Sequence, residues 1–169
     1  MTIEEITELE NEWMNKKPKR GSLADKDAQC QERGIYEAWR QIFEQYVILA
    51  REGELEALKR TLFLYWYSRS EPKELCGIPI LDEGLIIEVL GMVNNLAQKD
   101  ELDTELKWML TFYYSLTDWY IDRLEGFYEL KEASKGNESL WEQFCPKSSF
   151  SNRGQLGIYW KRLQDRIIN

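Results

Sequence analysis

The chain has 169 residues, 43% of them hydrophobic and 31% charged, with only 10 glycines and 4 prolines. A chain of this length ordinarily forms one domain and buries roughly 70% of its unfolded surface, so neither a disulfide nor a metal is needed to hold it together. Thirty acidic against 22 basic residues give a net charge of −8, which opposes binding of nucleic acid or anionic lipid and favours a basic partner.

Leucine occurs 21 times and valine three times. That ratio favours helix, where unbranched side chains keep their rotamer freedom. The first helix is expected over Ile3 to Lys16: Thr2 and Glu5 form a capping box, Ile3, Ile6, Leu9, Glu10 and Trp13 make a mostly apolar stripe, and Pro18 follows the stop. Ser22 caps a more polar helix from Leu23 to Glu32, with Gly34 as its end or a kink. Ile35, Trp39, Ile42, Phe43, Tyr46 and Leu49 recur at helical spacing up to Arg51, and Gly53 marks the end. Leu55, Leu58, Leu62, Tyr65 and Trp66 carry the same period from Glu54 to Ser70, before Pro72.

Residues 73–81, with Gly77 and Pro79, read as a loop. Asp82 caps a helix along Leu85, Ile86, Val89, Leu90, Val93 and Leu96. The longest helix is expected from Asp103 to Glu125, through Leu106, Met109, Leu110, Tyr113, Leu116 and Tyr120, with Gly126 ending or bending it. Two shorter elements follow, one over Ser139 to Phe144 and one from Asn152 to Ile168. The expected fold is one all-α domain of six to eight helices: amino-terminal helices in 1–34, a hairpin in 35–70, the 71–81 loop, a second hairpin in 82–125 and carboxyl-terminal helices in 126–169.

The amino terminus carries acid where a secretion signal needs base. The longest apolar run, Leu62 to Tyr67, is far below the ~20 residues that span a bilayer. Cys30, Cys76 and Cys145 match neither a disulfide framework nor a metal-ligand spacing. A cytoplasmic location with reduced thiols is the expectation.

The chain resembles itself at an offset of 47 residues. Leu49 to Leu55 lies over Leu96 to Leu102, and with one residue inserted Leu58, Leu62 and Tyr65-Trp66 lie over Leu106, Leu110 and Tyr113-Tyr114. Each copy is a helix, a tight acidic turn and a second helix with an aromatic end. A two-helix unit of this period falls in the range of HEAT-type stacked repeats, with an irregular bundle as the alternative arrangement.

Histidine is absent, which removes the commonest general base and metal ligand near neutral pH. The glycines are scattered and form no phosphate-cradling loop, so no nucleotide or other cofactor is expected. Asp118 and Asp122, one turn apart with Glu125 downstream, are the best candidate for a magnesium-dependent enzyme; a solvated helix face explains the same spacing, and no metal is expected. The run Lys16-Lys17-Pro18-Lys19-Arg20 resembles a short nuclear-localisation or phosphate-binding sequence, while cations at a helix carboxyl end also answer the helix dipole.

The aromatic runs Phe63 to Tyr67, Phe112 to Tyr114 and Trp119-Tyr120 cannot all point at one core, because consecutive helical residues surround the axis. Either helices pack on two sides of them, or Phe63 and Tyr67 flank a second surface with Tyr114 on the equivalent face. Glu52, Glu54 and Glu56 in the first turn correspond to Asp100, Glu101, Asp103 and Glu105 in the second, which stacked repeats would gather on one edge. The function expected is a non-enzymatic module in which this acidic edge holds a basic protein and Tyr67 and Tyr114 anchor it, as in an immunity-type neutraliser. The alternative is a small-molecule pocket between the hairpins, lined by Tyr65, Tyr113 and Trp119 with Arg69 as its polar anchor.

Overall fold

A computed structural model describes residues 1–136 and 149–168, and among these it contains helices and no strand. The helices are α1 (Ile3–Lys16), α2 (Leu23–Glu32), α3 (Ile35–Arg51), α4 (Leu55–Ser70), α5 (Lys73–Cys76), α6 (Glu83–Gln98), α7 (Thr104–Ile121), α8 (Tyr128–Ser134) and α9 (Gly154–Ile168). No helix among the described residues is long and apolar enough to cross a membrane.

Local chemistry starts the helices. Thr2 and Glu5 form the reciprocal capping box of α1, and Ser22 and Asp25 form one for α2. The Asp103 carboxylate accepts from the Leu106 N–H at 2.8 Å and caps α7. Pro72 precedes α5, a single turn within the stretch expected to be loop, and Gly77 at φ +82° closes it by donating to the Lys73 carbonyl at 2.7 Å. The helix α8 was not expected. Gly126 and Phe127 both adopt positive φ before it, and the N–H of Leu130 in its first turn finds its acceptor in Asn94 Oδ1 of α6, at 3.0 Å. The cap comes from another helix, so nothing beside α8 in sequence announces it. The helix expected over Ser139 to Phe144 lies outside the described residues.

The helix α7 stops at Ile121, short of the expected Glu125, and it is kinked at Thr117 (φ −140°, ψ 38°). The Thr117 hydroxyl donates to the Tyr113 carbonyl at 2.6 Å, a back-bond that competes with the helical ladder and bends it.

The chain divides into two compact units, residues 1–86 with 150–169 and residues 87–149. In the first unit α3 packs along α4 and α1, and α9 returns from the carboxyl end to cover α1 and α4. Every residue of α4 from Ala57 to Trp66 is buried, so this helix is enclosed on all sides. Ile6, Trp39, Phe43, Phe63, Leu156 and Trp160 form the centre of that core. The second unit packs α7 against α8 around Val93, Leu106, Met109, Leu110, Tyr113 and Leu130.

Candidate functional site

The two acidic turns share a backbone design. In the first, the Gly53 N–H donates to Ala50 O at 3.0 Å and the Glu54 N–H to Leu49 O at 3.0 Å. In the second, the Asp100 N–H donates to Ala97 O at 3.1 Å and the Glu101 N–H to Leu96 O at 2.8 Å. These are the paired bonds of a Schellman cap, with Gly53 (φ +94°) and Asp100 (φ +55°) at the equivalent left-handed position. The 47-residue correspondence therefore extends from side chains to hydrogen bonds.

The acids of these turns differ in circumstance. Glu52, Glu54 and Glu101 are exposed, and Glu54 also caps α4 by accepting from the Glu56 N–H at 3.3 Å. Asp100 lies 3.6 Å from Lys107 Nζ, a pair open to water. Asp103 caps α7, and Glu105 is half-buried in its first turn. Glu56 is a correction to the expected acidic edge. Its carboxylate accepts from Arg60 Nε at 2.9 Å and from Arg153 Nε and Nη2 at 2.8 and 2.6 Å, so two guanidinium groups neutralise it within the first unit. Those contacts hold its pKa below the usual carboxylate range, against the opposing effect of burial.

Glu56 belongs to a polar network that the sequence reading missed. Glu10 of α1, 1% exposed, accepts from the Tyr46 hydroxyl of α3 at 3.0 Å. Arg60 of α4, 3% exposed, donates to that same hydroxyl at 2.7 Å, to Thr7 Oγ1 at 2.6 Å and to the Asn152 carbonyl at 3.2 Å. The Glu10 carboxylate also accepts from the Gln155 backbone in the first turn of α9. Burial nonetheless pushes the Glu10 carboxyl up to about 7, against the opposing pull of Arg60 and the Tyr46 hydrogen bond. A Cβ at Gly154 would stand 1.4 Å from Glu10 Oε2, so only glycine lets α9 approach this closely. The network ties α1, α3 and α4 to the returning α9. A signal for it was present in sequence: Glu10 occupies a position of the apolar stripe of α1, where a carboxylate needs a buried cation.

The aromatic residues also separate by position. Phe63, expected toward a flank, is fully buried, and Tyr67 is half-buried. The cause is α9: Tyr159 lies 5.6 Å from both rings, and Trp160 lies 5.9 Å from Phe63. Burial pushes the Tyr67 hydroxyl up to about 12. This is the two-sided packing weighed above, completed by a helix some ninety residues away in sequence. Of the alternative pocket residues, Tyr65 is buried and Arg69 exposed in the first unit, while Tyr113 is buried and Trp119 exposed in the second.

On the second unit, Leu116 and Trp119 stand one turn apart at 54% and 56% exposure, and Tyr128 is 67% exposed. Arg123 places its guanidinium 5.9 Å from the Trp119 ring centre. Tyr114 donates to Asp122 Oδ2 at 3.2 Å, and Asp118 accepts from the Trp119 N–H at 2.7 Å. Both aspartates thus have partners, and no group of three metal-ligating side chains forms among the described residues. The chain matches no known protein family, no curated protein and no solved structure.

Proposed function

We propose that the chain is a non-enzymatic protein-binding module for a basic partner protein. The observation that carries this reading is the coincidence of charge and exposed apolar surface in residues 87–149. That unit holds twelve acidic and six basic residues, leaving 18 against 16 for the rest, so most of the net charge of −8 resides there. The same unit exposes Leu116, Trp119 and Tyr128.

An acidic field steers a basic protein and raises its association rate, while a tryptophan offers the large rigid contact that dominates interface energies. Asp100, Glu101, Asp103 and Glu105 supply the field close to α7, and Tyr114 flanks the anchors. Glu52 and Glu54 present equivalent acids in the first unit. Stacking of the two related hairpins in the manner of HEAT repeats would extend one acidic edge across both. A small acidic chain with such a surface is also what a neutraliser of a basic toxin or nuclease requires, by analogy of class.

The test is a pull-down with the full chain as bait, wild type beside a Leu116→Ala/Trp119→Ala variant, at low and high salt. The reading expects a basic protein held by wild type at low salt, released at high salt and not held by the variant. Identical capture by both baits overturns it.

A further inference from the structure

The run Lys16-Lys17-Pro18-Lys19-Arg20 does more than answer the dipole of α1. Pro18 and Gly21 turn the chain back, and Arg33 at the end of α2 donates from Nη1 to the Lys16 carbonyl at 3.0 Å. The result is an open cavity of about 840 Å³ with Lys16, Lys17, Lys19, Arg20 and Arg33 in its wall.

Charge in this wall is unbalanced. Asp25 is its only carboxylate, and that group is spent on the Ser22 N–H and hydroxyl at 2.9 and 2.7 Å. Lys16 pairs with Glu12 outside the cavity and sits over the Trp13 ring. No carboxylate lies within 4 Å of Lys17, Lys19 or Arg20 among the described residues. Lys17 is half-buried, and burial, with Arg162 and Lys26 outside the wall acting in the same direction, holds its pKa below the usual lysine value. The wall thus gathers five cations beside one carboxylate that is already engaged, and a compact polyanion supplies the missing counter-charge.

We infer that this cavity between the end of α1 and α2 is a binding site for an oligophosphate group. A diphosphate or triphosphate carries several charges in a small volume, which suits a wall of lysines and the forked donors of arginine. Concavity and overall charge select the ligand's size: a long nucleic acid meets the field of the whole chain at −8, whereas a small anion in the cavity meets chiefly the nearby cations. The oligophosphate can be inorganic or belong to a nucleotide.

Calorimetric titration of the full chain with pyrophosphate and with ADP, at matched ionic strength, tests this. Saturable binding is expected, weakened about tenfold or more by Lys19→Glu/Arg20→Glu and unchanged by Lys99→Glu in the other unit. Equal affinity for pyrophosphate and ADP identifies the phosphates alone as the ligand, and tighter ADP binding adds a contact to the nucleoside. Lys19 and Arg20 are exposed, so the variant folds; Lys19→Gln/Arg20→Gln gives a milder second measurement. Absence of binding by both probes, or retention of wild-type affinity in both variants, overturns the proposal.

Discussion

The Tyr46 hydroxyl donates to Glu10 at 3.0 Å while accepting from Arg60 at 2.7 Å, and so joins two buried ionisable groups whose direct separation is 3.7 Å. Removing that one oxygen leaves the carboxyl and the guanidinium, 1% and 3% exposed, each short of a partner. Tyr46→Phe is therefore expected to cost about 1–3 kcal/mol. Urea unfolding measures it. A variant within about 0.5 kcal/mol of wild type would show that the network contributes little.

Glu10 gives the stability a distinctive pH dependence. Its folded pKa, about 7, lies above its ordinary value of 4.5, so between these limits the unfolded chain gives up the proton while the folded one keeps it. Stability from this group is complete below about pH 4.5, falls as pH rises and is lost above about 7, by roughly 3 kcal/mol. Glu56, with a depressed pKa, acts oppositely: its contribution is present above its ordinary value and disappears at lower pH. Maximum stability is expected in mildly acid solution. Glu10→Gln should flatten the decline toward neutrality, as read from unfolding midpoints across that range, and an unchanged slope would contradict the assignment.

Gly154 has both a positive φ and no room for a methyl group beside Glu10. Gly154→Ala should lower stability by at least about 2 kcal/mol, because relief requires moving a carboxylate that is itself fixed by the network. Thermal unfolding of the variant decides this. Gly91, where an added Cβ meets nothing within 4 Å, provides the comparison, and Gly91→Ala should be neutral or stabilising.

The paired turns make a prediction of opposite signs. Asp100 occupies the left-handed position that Gly53 occupies in the other turn. Asp100→Gly is expected to stabilise by about 0.5–1 kcal/mol and Gly53→Ala to destabilise by about 1 kcal/mol. Melting temperatures of the two variants should move in opposite directions.

Two tryptophans test the distinction between surface and core. Trp119 is 56% exposed and Trp160 is fully buried. Trp119→Ala should change stability by less than about 1 kcal/mol, whereas Trp160→Ala should cost about 3–5 kcal/mol. Equal losses would remove Trp119 from consideration as an available anchor.

Much of the fold was legible from local chemistry. Thr2 with Glu5, Ser22, Asp82 and Asp103 start their helices by hydrogen bonds to backbone only a few residues away, so sequence order carries the whole signal. The spacing of Ile35, Trp39, Ile42, Phe43 and Tyr46 likewise identified the buried face of α3. What escaped was held by partners distant in sequence: α8 through Asn94, and the neutralisation of Glu56 through Arg153. The acidic turns were readable as composition, but which of their carboxylates remains open to a partner depends on those remote cations.

The sequence by itself determined helical class, the start and stop of most elements and the likeness of the two acidic turns, because caps, periodicity and left-handed turn positions act over a few neighbouring residues. Only the tertiary structure decided that α9 encloses α4, that Glu10 meets Tyr46 and Arg60, and that the lysines after α1 wall a cavity with Arg33. Those outcomes depend on burial and on charges brought together by chain return, and separation along the chain carries no record of either.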